Sequence, residues 1–535
     1  MKKIRCGVSA IAVGAMLVLL AGFILAGCQQ MRSRGEPGAK AGARKEGEKQ
    51  SKPAPPELKL RVILADPTQT HDAKSLATKY AFGDAVILAS YQTAGNIENC
   101  GCSPVQLGGM PPRGALIAEV RKRQPTLTLD LGAIIGGNGS FHILKARYVL
   151  QAMQLAGYDA MGLGVAELAL QPDKLQEILG ASQIPYYSAN AYVDLKRWHP
   201  PAGVEERYRD WKILPSVEPA NLPSLGRDEA STLRPLAPPG FVWEVKDRRV
   251  GVVFLNFTGL SEAGLQFPGC FLATPAEWLE AWGKQEHWDL ADTWVLAAEG
   301  YSAQIATVIK DYPQFSLILT GDSHPSGRSE ERMLQPVMTE TGATWLNTYN
   351  LGGYLGLVNI DFPAKRDERN SLVAYNLPVV STFYPDQTIK ELIRGPYHDA
   401  LKQVFPEQSF EYRAAVIIEP EDCRQCHRRA YDIFKQSRHP HSLETLEEKG
   451  QKYNAECLGC HVVYDYGEDK MYPLQCISCH TGISYRHIGE AQGRRKFTQK
   501  GDARFTYEFC AKCHTPQRST RFKRHFAEYV KKVRH

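Results

Sequence analysis

Cys423-Arg424-Gln425-Cys426-His427, Cys457-Leu458-Gly459-Cys460-His461, Cys476-Ile477-Ser478-Cys479-His480 and Cys510-Ala511-Lys512-Cys513-His514 are four copies of one pentapeptide pattern, CxxCH. The spacing has a geometric meaning. On a helical turn, residues i, i+3 and i+4 share a face. Two thiols so placed can close thioethers on a porphyrin edge while the adjoining His reaches the iron, so each copy reads as a c-type haem attachment site. Zinc is the competing reading, because eight thiolates in CxxC pairs could form two four-sulfur sites. Zinc does not call for His after every second Cys, and the chain has only 15 His in 535 residues. Four covalently attached haem c groups are expected, on Cys423, Cys426, Cys457, Cys460, Cys476, Cys479, Cys510 and Cys513.

Each iron then takes one imidazole from its own motif: His427, His461, His480 and His514. A second axial ligand must come from elsewhere. Met471 is the only methionine after residue 422, so thioether ligation, which raises haem potential, is open to one haem at most. The spare imidazoles are His439, His441, His487, His525 and His535. His439, His487 and His535 are the expected distal ligands, with His441 and His525 competing for the fourth place or leaving one iron open. A filled iron transfers electrons; an open one could also bind a substrate.

Outward from these motifs, the haem-bearing segment, residues 421–535, is too short to build a large side-chain core, and porphyrins would have to supply its interior. Between residues 423 and 535 it carries 22 Lys+Arg against 12 Asp+Glu, and the surplus falls from Arg486 onward. Haem propionates could neutralise much of it. The remainder, such as Arg494-Arg495-Lys496 and Lys531-Lys532, either steers an acidic redox partner or forms a solvated face. An exported haem protein gives no reason to expect nucleic acid as a partner.

At the other end, Met1-Lys2-Lys3-Ile4-Arg5 is a basic start, Val8 to Ile24 is apolar, and Leu25-Ala26-Gly27-Cys28 matches a bacterial lipoprotein signal. A plain membrane anchor is the alternative. Residues 1–28 are thus expected to export the chain and attach it to a membrane through lipid on Cys28, in a periplasmic or outer-membrane setting. Residues 29–57 hold little to bury and read as a flexible tether.

From Leu58 to Pro420, apolar strands alternate with amphipathic helices, which argues for a central sheet covered on both faces. The strands include Asp84–Tyr91, Thr126–Leu131, Tyr158–Gly164, Val250–Phe257, Thr293–Ala298 and Phe315–Thr320. The helices include Pro112–Lys122, Ile143–Ala156, Pro172–Leu179 and Ser302–Ile309. A Pro-rich insertion occupies Lys196 to Pro239.

The order of motifs here resembles the calcineurin-like metallophosphatase domain of 5′-nucleotidases. It is carried by Gly95-Asn96, Gly108-Gly109-Met110 with Arg113, Leu129-Asp130-Leu131-Gly132, Gly157-Tyr158-Asp159-Ala160, Ser188-Ala189-Asn190 and Leu317 through His324. The resemblance implies an α/β sandwich over residues 58–420 and, in an active member, two metal ions activating a water. The ligands do not carry over. Asp-x-His-Gly is replaced by Gln92-Thr93-Ala94-Gly95, and Gly-Asp by Gly132-Ala133. Gly-Asn-His-Glu is replaced by Gly164-Val165-Ala166-Glu167, a later His falls near Ala298, and Gly-His-x-His becomes Gly321-Asp322-Ser323-His324. Ala, Val and Gln are poor or null ligands for a hard dication. The expectation is a fold kept without its metal chemistry.

Residues 421–535 resemble the tetrahaem cytochrome c-554 domain of ammonia oxidisers. Ser437-Arg438-His439 follows the first motif, His487 follows the third, and Ser519, Phe522, Tyr529 and His535 follow the last. That resemblance implies electron carriage through a compact, mostly helical haem array with His on both faces of at least some irons. Haem chemistry on a small nitrogen or sulfur compound is the enzymatic alternative, and a scaffold docking a redox partner through the sandwich is another. Cys100, Cys102 and Cys270 remain. A disulfide from Cys270 to one of the other two is one reading, and a soft-metal or sulfur-redox pair in Cys100-Gly101-Cys102 is the other.

Overall fold

The computed structural model describes residues 61–62, 72–98, 107–201, 203–225, 232–257, 270–285, 287–321, 336–348, 351–366, 368–381, 383–405, 417–465, 470–481, 502–503, 506–515, 519 and 522–534. Two seven-stranded sheets dominate. The first runs in the spatial order Arg61–Val62, Ser371–Pro378, Tyr354–Asp361, Ala85–Ser90, Thr126–Asp130, Ala160–Gly162, Tyr186–Tyr187. The second runs Val337–Met338, Thr344–Asn347, Phe315–Gly321, Thr293–Glu299, Arg248–Asn256, Gly240–Val245, Lys212–Ile213. Each has a parallel centre, with Ala85–Ser90 beside Thr126–Asp130 in one and Thr293–Glu299 beside both its neighbours in the other.

The two-residue period of a strand explains the layering. In Ala85–Ser90, Ile87 and Ala89 point towards the second sheet and pack with Val252, Phe254, Val295 and Leu319. Val86 and Leu88 point the other way, onto Leu116, Ile117, Val149 and Met153 of the helices Met110–Arg121 and Ser140–Ala156. The outer face of the second sheet is covered by Pro275–Gly283 and Ser302–Ile309 through Trp278, Trp282 and Ile305. The result is a four-layer α/β/β/α sandwich. The alternation of strands and helices pointed to one central sheet; two are present, because a strand apolar on both faces fits equally under helices on each side or between a helix layer and a second sheet.

The expected helices Pro172–Leu179 and Ser302–Ile309 are found at those bounds, while the two preceding ones begin earlier, at Met110 and Ser140. Helix Ser140–Ala156 stops at Gly157, whose φ of 82° closes its last turn. The Pro-rich insertion forms three short 3-10 turns and contributes Leu233–Pro235 to a three-stranded sheet with Ala191–Asp194 and Cys270–Leu272.

The haem-motif segment is built from short helices with two β ribbons, Val462–Asp465 with Lys470–Pro473 and His480–Thr481 with Asp502–Ala503. Its apolar cluster is Leu446, Leu458 and Val462, with Met471 packed against it. It lies in the same compact unit as the sandwich, Leu58–His535.

Candidate functional site

Each CxxCH motif is folded as the helical turn its spacing demands. The His427 N–H donates to the Cys423 carbonyl at 2.8 Å, and the His514 N–H to the Cys510 carbonyl at 2.9 Å. The second motif ends the helix Ala455–His461, which Asn454 caps by accepting the Glu456 N–H at 3.1 Å. The third turn, Cys476–Cys479, closes on the His480 N–H, and the fourth, Tyr507–Cys510, is capped by Thr506. None of the eight motif cysteines is in a disulfide. Their thiols meet in pairs, Cys423 with Cys476 and Cys460 with Cys513, while Cys479 lies close to Cys510. The first motif therefore adjoins the third, the second adjoins the fourth, and the third and fourth are neighbours.

The imidazoles are set as iron ligands need to be. His461 Nδ1 is 3.2 Å from the Ser442 carbonyl oxygen, a contact of the kind that orients a metal-binding imidazole. His514 Nδ1 is 3.2 Å from Ser519 Oγ, and its ring stacks on Phe522 at 4.2 Å, which in turn stacks on Tyr529 at 5.6 Å. His439 sits in the same cluster, its ring centroid 6.3 Å from that of His514. Burial, reinforced by neighbouring imidazoles, holds both rings below the usual histidine pKa and so keeps them neutral, the form that binds a metal. His441 and His525 are placed differently. They are exposed or half-exposed, and each pairs through Nδ1 with a carboxylate three residues on, Glu444 at 2.9 Å and Glu528 at 3.4 Å. His487 and His535 lie outside the described residues. Cysteines and a His on one helical turn, with His461 and His514 oriented through Nδ1 and His439 and His514 held below the usual pKa, are a donor set of the kind haem c takes.

The end of the sandwich where the metal loops were expected holds a different arrangement. Glu167, fully buried, accepts the N–H groups of Ala133, Ile134, Ile135 and Gly164 at 2.7–3.1 Å. Glu299 ends the strand Thr293–Glu299 and accepts the Tyr91 hydroxyl at 2.9 Å and the Val165 N–H at 2.6 Å. Asp130 accepts the Ser90 hydroxyl at 2.6 Å and the Gly132 N–H at 2.9 Å. Arg113, buried beside them, donates to Thr93 Oγ1 at 2.9 Å and the Gly352 carbonyl at 3.1 Å. Burial pushes the carboxyls of Asp130 and Glu299 up to about 7. The Tyr91 ring packs so closely on Gly321 that a Cβ there would fall 2.1 Å from it. Gln92, Ala94 and Ala133 keep left-handed φ values of 53°, 47° and 56° without being glycine. The loops keep their bends, but side chains fill the space and backbone donors use the carboxylate lone pairs. Among the described residues no group of three or more His, Cys, Asp or Glu is arranged to hold a metal ion.

Asp322, His324, Cys100, Cys102 and Cys28 lie outside the described residues. Cys270 is a free, buried thiol on Cys270–Leu272, and burial pushes it up to about 12. Sequence reasoning missed Glu299 and Tyr91. The available signal was a carboxylate ending an otherwise apolar strand.

Residues 422–515 match the family model for cytochrome c554 and c-prime. The segment is thus similar to a family of cytochromes c, and that likeness implies covalently bound haem and suggests electron transfer. No curated protein matches the chain. Similar solved structures include a sulfate thiohydrolase SoxB from Thermus thermophilus, at 15% identity and TM-score 0.44 over 60% of this chain and 61% of that one. A 5′-nucleotidase precursor, also from Thermus thermophilus, aligns at 18% identity and TM-score 0.44, covering 68% of each chain. A calcineurin-like phosphoesterase, YfkN from Bacillus subtilis, aligns at 16% and TM-score 0.42 over 60% of this chain and 98% of that one. The chain spans about 60% of the length of the SoxB chain.

Proposed function

We propose that the protein is a tetrahaem c-type cytochrome that passes electrons between redox partners, held at the cell envelope by lipid on Cys28 and carried on a sandwich that no longer hydrolyses phosphoesters. The observation that carries this reading is the set of four CxxCH turns in adjoining pairs, with His439 and His514 clustered and held below the usual histidine pKa by burial. Residues 421–535 act as the electron-transfer domain and residues 58–420 as its support, with residues 1–28 as export signal and 29–57 as tether. His427, His461, His480 and His514 are the proximal ligands. His439 is the distal partner of His514, on the strength of ring centroids 6.3 Å apart, and His487 and His535 serve two other irons. Basic residues such as Lys531 and Lys532, exposed on Phe526–Val533, meet an acidic redox partner.

The test is haem content with spin state. Purified holoprotein is expected to contain four haems per chain and mainly low-spin ferric iron. His439→Ala is expected to turn one haem high-spin without loss of haem. Fewer than four haems, or unchanged spin in that variant, would reject the assignment.

A second reading has one observation in its favour. The His441 and His525 side chains are 55% and 38% exposed to solvent, which leaves the fourth distal imidazole unassigned. An open iron acting on a small nitrogen or sulfur compound follows from it, and a CO or NO adduct of the reduced holoprotein would be its signature.

A further inference from the structure

A buried polar seam joins the sandwich to the second haem turn, and neither the haem motifs nor the lost metal loops require it. It begins where helix Gln387–Leu392 widens into a π-helical turn, Ile393–Tyr397, around Pro396 and resumes as His398–Val404. Proline has no N–H to donate, and π turns recur where a helix presents a functional side chain. This one presents His398, whose side chain is 11% exposed. His398 Nε2 lies 3.1 Å from Glu98 Oε2 and 3.2 Å from Gln451 Nε2, and the Gln451 amide also donates to Glu98. Gln451 Oε1 accepts from Asn454 at 2.7 Å and lies 4.0 Å from Cys457 Sγ, a haem-attaching sulfur. Gly450, at φ +69°, presses its backbone on the ring, so that a Cβ there would come 2.4 Å from His398 Nδ1. Beside this cluster Lys145, 2% exposed, pairs at 2.7 Å with Glu456, the residue before Cys457.

We propose that His398, Glu98 and Gln451 form a redox-linked proton site for the haem attached at Cys457 and Cys460, through which the sandwich sets the potential of that haem. The proposal rests on the electron-transfer reading above. The geometry offers His398 two proton states. Neutral, with its proton on Nδ1, it accepts the Gln451 N–H at Nε2; protonated, it donates Nε2–H to the Glu98 carboxylate. The balance would be one electron from a reduced donor protein, accepted by the haem that Cys457 and Cys460 would hold, and one proton from solvent, taken up at His398 Nε2; both would leave on reoxidation. Negative charge added nearby favours the proton, and by linkage the proton favours the electron equally.

The charged and titratable groups around His398 come from every element packed on it. Glu98 is contributed by the loop after Ala85–Ser90. Tyr397 and Asp399 adjoin it in the chain, and Lys402 pairs with Asp399. Glu456, with Cys457, faces Tyr397 from the haem segment, and Tyr453 faces Lys402. Lys145, from Ser140–Ala156, contributes a fixed positive charge that favours the reduced haem at any pH. His398 and Glu98 are the pair whose proton arrangement the contacts leave free to change.

Spectroelectrochemical titration of the holoprotein between about pH 5 and pH 9, the range in which histidine changes charge, tests this. In the native chain one haem component is expected to fall in potential as pH rises while the others hold. His398→Gln, which keeps a hydrogen-bonding side chain, is expected to abolish that pH dependence. Glu98→Gln is expected to displace that pH dependence, and serves as a second probe if the first variant misfolds. Lys145→Met is expected to lower the same component while leaving its pH dependence. Four reversibly reduced haems whose potentials ignore pH, or a His398→Gln protein with native pH dependence, would overturn the proposal and leave the electron-transfer reading standing. Haems that do not reduce reversibly would overturn both.

Discussion

The sandwich and the haem segment are stabilised in different ways. The sandwich owns three contiguous apolar clusters, one between its sheets and one beneath each helix layer. Among its described residues the haem segment has the cluster Leu446, Leu458 and Val462, with Val463, Tyr464 and Phe522 also buried. Over those described residues the segment offers little apolar area to offset chain entropy. Its stability has to come from the cofactors and from the surface it shares with the sandwich. That contrast makes the sandwich a body that folds by its own side chains and the haem segment one that folds around its haems.

The largest effect should come from withholding haem. A chain with all eight motif cysteines changed to Ala is expected to lose the described helices of the haem segment, such as Arg428–Gln436 and Phe526–Val533, read as rapid proteolysis there, while the strands of the two large sheets persist as a resistant core. Survival of both regions would erase the distinction. Loss of both would mean that the seam supports the sandwich as much as the haem segment.

The next effect belongs to the sandwich. Asp130 and Glu299 are raised by burial to about 7, well above the unfolded carboxyl values. A raised carboxyl holds its proton in the folded state where the unfolded chain has lost it. Its stabilisation is therefore complete below about pH 4 and is lost as pH rises through about 7. Glu299→Gln removes one such group and keeps partners for Tyr91 and Val165. Its chemical denaturation, followed from about pH 4 to pH 8, is expected to show a shallower decline, with a gain on the order of 2–4 kcal/mol at the upper end. A decline as steep as the native one would place that proton elsewhere.

Much of this contrast was legible in the sequence, for reasons particular to each region. CxxCH is a local pattern, and its helical turn is complete within five residues, so the motif cysteines and histidines could be read directly. Gln92, Ala133, Val165, Ala166 and Ala298 could be compared one by one with the motif residues they replace because each motif is local too. The seam could not be read. Glu98 and His398 are 300 residues apart, and neither occupies a recognisable motif; only the fold brings them together. The number of sheets escaped for a related reason. Ala85–Ser90 is buried on both faces, and its sequence does not say whether a helix or a second sheet covers each one.

The seam gives a smaller effect that sharpens the comparison. Glu456→Ala leaves Lys145 buried without a counter-charge. Breaking a fully buried pair costs about 3–5 kcal/mol, and with Glu456 33% exposed the expected loss is nearer about 2 kcal/mol. If the sandwich folds on its own, that loss should show as earlier thermal release of the haem segment, with little change in the sandwich transition. Lys145→Met with Glu456→Leu should restore most of it, since an apolar pair of similar size avoids the desolvation of both charges. A single merged transition that moves as one would mean that the two regions unfold as a unit.

The smallest prediction compares one interaction in both places. Asp386 caps Gln387–Leu392 in the sandwich by accepting the Ile389 N–H at 3.0 Å, and Thr506 caps Tyr507–Cys510 by accepting the Phe509 N–H at 3.2 Å. Locally the two caps do the same work, and changing either to Ala removes about 1 kcal/mol. The consequences should differ. Asp386→Ala should lower the sandwich transition by a few degrees with haem spectra unchanged. Thr506→Ala loosens a turn that thioether bonds also hold at Cys510 and Cys513, so the covalent links should absorb much of the loss in the holoprotein. Equal shifts from both caps in the haem-loaded chain would mean that haem adds little to holding that turn, and the contrast drawn from the two cores would then be too strong.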